Sequence, residues 1–172
     1  MTDEERPPSK AELMEALRAS RDFVIATVRA LTPERLEEGR YENGWNARQI
    51  LAHLASIEWT YPRLVDVARA APAEDAPAPA AGEPPTRTMR GGNDAYNERQ
   101  VARRAHLSAA ELLAEFETNR AATIEAVGAT DEALLGRRIR SAGGVTGALA
   151  LVLQRVAVDH VLGHARDIAG RD

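Results

Sequence analysis

The amino-acid sequence predicts an all-α fold, a four-helix bundle with a long Pro/Ala-rich connection after the second helix. Alanine, the best helix former, occurs 33 times in 172 residues, against two Phe, two Trp and three Tyr. Such aromatic poverty argues against a β-sandwich or barrel. Four stretches repeat apolar residues at helical spacing behind N-cap residues. Between the second and third lies a run, Pro72–Pro85, of five prolines, five alanines and three acids that can bury no core.

The first helix should begin at Ser9, where Ser9-Lys10-Ala11-Glu12 spells a capping box, and Leu13, Leu17, Val24, Val28 and Leu31 form its inward stripe. Thr32-Pro33 ends it and opens a short capped turn. A loop through Gly39 and Gly44 leads to Trp45 and to a second helix capped by Asn46, with Gln49 three residues on. Ile50, Leu54, Ile57, Leu64 and Ala68 face inward, and Pro62 should break or kink this helix near Tyr61. A third helical region opens near Asn93 and runs to about Ala105. Ser108-Ala109-Ala110-Glu111 then restarts a helix carrying Leu112, Leu113, Phe116, Ile124 and Val127, with Gly128 as a C-cap glycine. After a turn over Asp131–Leu135 and a glycine-rich loop, Gly143–Gly147, Thr146 should cap a last helix that ends at Gly170.

These elements make one domain over residues 1–172, with 1–8 as a tail and 72–92 as an exposed connection. A chain without cysteine offers no disulfide, Fe–S cluster or thiol nucleophile. A net charge of −4 spread along the chain leaves no basic footprint for nucleic acid. No apolar stretch approaches the roughly 20 residues of a membrane span, and the acidic, proline-containing N-terminus is unlike a signal peptide. A cytoplasmic location is expected.

Chemistry concentrates on histidine. His160 and His164 stand four apart on the last helix and so project from one face. They continue the Leu149, Leu153, Val156 stripe and should point into the bundle. His53 lies between Ile50 and Ile57, near the inward edge of the second helix. Two helices can thus present three imidazoles to one point, a donor set for a divalent metal with positions left open for water or substrate. Zn, Ni and Fe are not distinguished by it. An HxxxH pair alone also suits a plain helix C-terminus, where positive charge is favoured. A lone His53 would equally serve as a hydrogen-bonded core residue. His106, at a helix–loop junction, should face solvent.

The segment Trp45-Asn46-Ala47-Arg48-Gln49-Ile50-Leu51-Ala52-His53-Leu54-Ala55 resembles the second-helix signature of the DinB/YfiT-like superfamily, in which a tryptophan precedes the helix bearing the first metal histidine. Asp159-His160-Val161-Leu162-Gly163-His164-Ala165-Arg166-Asp167-Ile168 is similar to its last-helix HxxxH segment. Asn93-Asp94-Ala95-Tyr96-Asn97-Glu98 resembles members in which asparagine opens the third helix. The resemblance runs from about Ser9 to Gly170. It implies a four-helix bundle, often dimeric, with a metal held by His53, His160 and His164, acting on a small molecule. It includes thiol-dependent transferases and isomerases, which use a low-molecular-weight thiol, and a hydrolase.

No glutamate separates His160 from His164 as in a zincin motif, so in a hydrolase, where metal-bound water could be the nucleophile, a base would have to come from elsewhere. Gln49 and Asp167, one turn from His53 and His164, could hydrogen-bond the imidazoles and fix their tautomers, with capping and plain solvent exposure as the competing roles. Asn97 and Glu98 would face the pocket or form a solvated first turn. Trp45 would cover the bundle end or wall the pocket. The Gly143–Gly147 loop is a capping loop before it is an anion seat. Arg137, Arg138 and Arg140 are a solvated charge run before they are a carboxylate site. Two further readings share this fold: a non-catalytic protein that binds or sequesters a small molecule, and a dimeric scaffold.

Overall fold

The structure, a computed structural model, describes residues 6–41, 44–71 and 92–170, without the side chains of 92 and 93. Most of the Pro/Ala-rich connection predicted over 72–92 lies outside the described residues.

Helix α1 (Lys10–Arg29) begins at the predicted capping box: Ser9 accepts from the Glu12 amide, and the Glu12 carboxylate accepts from the Ser9 amide at 2.7 Å. Thr32 caps the short α2 (Pro33–Leu36). Asn46 and Gln49 box the start of α3 (Ala47–Glu58). The chain breaks at Trp59 and Thr60, and α4 (Tyr61–Ala70) restarts with Pro62 in its first turn, where a missing N–H costs nothing. The third helical region is α5 (Gly92–Arg103), and Ser108 boxes α6 (Ala109–Gly128). Asp131 caps α7 (Glu132–Leu135).

Three local expectations are corrected. Gly128 is the last residue of α6, the cap is Ala129 in a right-handed conformation, and no left-handed glycine terminates the helix. Thr146 caps nothing. It pairs with Arg140 in an antiparallel hairpin of β1 (Arg138–Arg140) and β2 (Thr146–Ala148), whose turn uses Gly144 at φ 89°. A side chain other than glycine rarely adopts that conformation. The last helix follows Ala148 without a side-chain cap and is not uniform. It runs as α8 (Leu149–Leu153), a π turn (Gln154–Asp159) and α9 (His160–Ala169), closed by Gly170 at φ 82°. We expect Ser108→Ala to cost ~1 kcal/mol in denaturant unfolding and Thr146→Ala less than about 0.5 kcal/mol, since only Ser108 satisfies helix-end amides.

α3 packs against α6, α9 and α5, and α1 packs against α6 and α9. Leu13 and Leu17, Ile50 and Leu54, Phe116, and Leu153 and Ile168 meet in a fully buried core. Among the described residues no helix is long and apolar enough to cross a membrane.

The core also holds charge. Arg120 of α6 and Glu58 of α3 are both 0% exposed and pair at 2.8 Å. Arg120 also donates to Glu58 Oε2 and to Ser20 Oγ, and Thr123 donates to Glu58 Oε1 at 3.1 Å. Burial pushes the Glu58 carboxyl up, while Arg120 and Thr123 pull it down. Sequence inspection assigned neither residue to the core. The available signal was Arg120 four residues beyond Phe116, on the same helical stripe.

Candidate metal centre

The Asn46–Gln49 box sets the register of α3, with the Gln49 amide donating to Asn46 Oδ1 at 2.8 Å and the Asn46 amide to Gln49 Oε1 at 2.9 Å. That register turns His53 inward, where it is 3% exposed. Half-buried Trp45, just before the cap, lies against the His53 ring at 5.1 Å between centroids.

The other two imidazoles come from the last helix, directly after the π turn. The ring centroids of His53 stand 5.5 Å from His160 and 4.9 Å from His164, and those of His160 and His164 are 4.5 Å apart. One nitrogen from each ring lies within 4.8 Å of the others. The Nε2 atoms of His160 and His164 face each other at 2.9 Å.

The three rings were expected to point inward together, and the structure grades them instead. His53 is buried, His164 half-buried and His160 exposed. The π turn accommodates an extra residue and shifts the helical register. From within the turn onward the buried stripe runs through Ala157, Val161, Ala165 and Ile168, leaving His160 and His164 on its edge. The cluster is therefore a mouth open to solvent on one side.

Electrostatics keep the rings neutral. Burial lowers His53 to about 3, with a smaller push from His164 and then His160. Burial and His164 take His160, exposed along one edge, down to about 4 against an opposing hydrogen bond that the Val156 backbone accepts from the ring. Burial lowers His164 as well, opposed by Asp167. Neutral imidazole is the form that binds a metal. Two nitrogens on a tetrahedral zinc stand about 3.3 Å apart, between the 2.9 Å separation of the His160 and His164 Nε2 atoms and the 4.8 Å within which all three rings offer a nitrogen. Among the described residues, the buried Nδ1 of His53 has no hydrogen-bond partner. These donors can hold one divalent ion.

Around the triad, Asp167 lies 3.6 Å from His164 Nδ1 and accepts the Tyr41 hydroxyl at 2.7 Å. Tyr41 Oη is itself 3.3 Å from His164 Nδ1. Tyr41 escaped the sequence reading because no periodicity marks a loop residue. The Gln49 carbonyl is occupied by the cap. Asn97 is half-buried and Glu98 exposed, and among the described residues no hydrogen bond joins either to the histidines. His106 is exposed, as expected. Arg137 donates to the Ala68 and Ala71 carbonyls and so closes the end of α4.

Fold and helical order together define a DinB-like four-helix bundle with a three-histidine cluster at one mouth. The chain belongs to the mycothiol maleylpyruvate isomerase N-terminal domain family, whose model matches residues 17–169. Among solved structures it is similar to the mycothiol-dependent maleylpyruvate isomerase, with TM-score 0.71, 18% identity, and 95% of this chain and 62% of that one covered. A histidine-to-alanine mutant of the same isomerase superposes with TM-score 0.70 and 17% identity, covering 95% of this chain and 62% of that one. At these identities the likeness is one of fold, and the chain spans about 62% of the length of the structures it matches. No curated protein matches the sequence.

Proposed function

We propose that this chain is a metal-dependent enzyme that joins a low-molecular-weight thiol to a small electrophile, in a thiol transfer or a thiol-assisted isomerisation. The observation that carries the reading is the convergence of three neutral imidazoles at an open mouth of the bundle. Family membership favours the thiol route over hydrolysis, since the solved relative is named as mycothiol-dependent and acts on maleylpyruvate.

His53, His160 and His164 would hold the metal. A divalent metal bound there supplies positive charge that favours the thiolate of a coordinating thiol or polarises a substrate oxygen. The chain contains no cysteine, so the sulfur comes from a separate molecule. Trp45 covers one side of His53 and limits the approach of water there. Asp167 faces the Nδ1 side of His164 and favours a proton on that nitrogen, which leaves Nε2 as the donor atom. The exposed edge at His160 is the side from which a thiol and a small substrate would approach.

The test is turnover of maleylpyruvate, or of a simple conjugated electrophile, by zinc-loaded protein with and without mycothiol. Product formation should require both metal and thiol and should be lost in His53→Ala. Metal-dependent turnover without thiol would move the assignment to a hydrolase. Tight substrate binding with no turnover under any condition would move it to a sequestering protein.

A further inference from the structure

The geometry points to Tyr41 as a positioning residue for His164, set in place by Gly44. The chain around it is anchored from several sides. Gly39 and Asn46 form an antiparallel bridge, with the Arg40 amide donating to the Trp45 carbonyl at 3.1 Å and the Ala47 amide to the Glu38 carbonyl at 3.2 Å. The Arg40 side chain, 7% exposed, donates from Nε to the Ile168 carbonyl near the end of α9. Its next neighbour, Tyr41, is thereby carried to the flank of the same helix.

There the hydrogen-bond directions follow from chemistry. The Tyr41 hydroxyl has one proton, and it goes to the Asp167 carboxylate at 2.7 Å. Its oxygen can then only accept from His164 Nδ1, at 3.3 Å. The proton of His164 is held on Nδ1, and the lone pair is left on Nε2, which in the metal-free protein accepts from His160 Nε2 at 2.9 Å. Asp167 alone does this less well, because its oxygen is 3.6 Å from Nδ1.

Gly44 is the second part of the device. Its amide approaches the Tyr41 carbonyl at 3.4 Å. A Cβ on residue 44 would lie 2.6 Å from Tyr41 Cβ and 2.8 Å from Cδ2. The clash is with the root of the side chain, which cannot swing clear as a flexible tip would. A larger residue at 44 therefore forces Tyr41 or the backbone at 44 to shift, and the placement of the hydroxyl on His164 and Asp167 depends on both.

This inference rests on the proposed metal site, so the experiment reads the two separately. In metal-free protein at constant pH, the ¹⁵N shifts of the His164 ring report its tautomer. Wild type should show the Nδ1–H form, and Tyr41→Phe and Gly44→Ala should both shift the population toward Nε2–H. Zinc affinity, measured by chelator competition, should weaken about tenfold in each single variant, the lower end for loss of a partner behind a metal-binding imidazole. The Tyr41→Phe/Gly44→Ala double variant should lose no more than either single, because both changes remove one hydroxyl contact. Helical circular dichroism should be unchanged throughout, Tyr41 being exposed. If wild type binds zinc, His164→Ala does not, and Tyr41→Phe binds like wild type with an unshifted tautomer, the inference about Tyr41 is overturned and the metal site stands. If wild type binds no zinc, the metal reading fails, and the tautomer shift alone upholds or rejects the role of Tyr41.

Discussion

Replacing His53, His160 and His164 together by alanine should abolish metal binding, while the unaltered protein, purified without chelators or a histidine tag, carries about one divalent ion per chain by elemental analysis. One ion is expected because the three rings converge on one point. His160→Ala alone should lose most of it. Full metal content in the triple variant would remove the site. The pH dependence is set by burial. Ordinary imidazoles with a pKa of about 6.5 would compete with the metal from pH 7 downward. With His53 held to about 3 and His160 to about 4, release should occur mainly below pH 6.

The same shifts predict the stability of the metal-free protein. These histidines bind protons less readily in the fold than in the unfolded chain, so the unfolded state carries more protons between about pH 6.5 and the folded values. Stability is then fully present above about pH 6.5 and declines as pH falls through the folded values, by up to roughly 1.4 kcal/mol per pH unit for each such ring. Buried His53 contributes most, and the exposed edge of His160 is partly screened by solvent. The triple alanine variant should lose this part of the slope and keep its helical circular dichroism. Comparing the two proteins cancels every other titrating group.

Arg120→Ala should be among the most damaging single changes in the chain, costing ~3–5 kcal/mol, because it leaves the Glu58 carboxylate buried without its partner. For a domain of this size the melting temperature should fall by on the order of 10 °C. Glu58→Ala should act similarly by stranding the guanidinium. Replacing the pair by apolar residues of similar volume, as in Glu58→Leu/Arg120→Met, should restore most of the stability, since neither charge then has to be desolvated. Chemical denaturation of the four proteins gives the comparison directly. A loss below about 1 kcal/mol in Arg120→Ala would show that water reaches the pair in solution.

Much of this molecule is written locally. Ser9, Asn46 and Ser108 each stand three residues before a Glu or Gln that returns the hydrogen bond, so three helix starts are encoded within four-residue windows. Periodic leucines and valines between them determine the all-α class and the bundle. Trp45 to His53 and His160 to His164, in that order, identify the superfamily and bring three imidazoles onto two helices.

What the sequence could not specify depends on residues far apart in the chain. Tyr41 meets His164 and Asp167 across 123 and 126 positions, and Glu58 meets Arg120 across 62. No local propensity encodes such pairs, which exist only once helices have packed in register. The hairpin took Thr146 from its predicted capping role because strand pairing satisfied the same backbone. The π turn moved the buried stripe of the last helix off its regular period. Local chemistry thus determined which imidazoles could meet, and packing decided how deeply each is buried and which side of the cluster stays open.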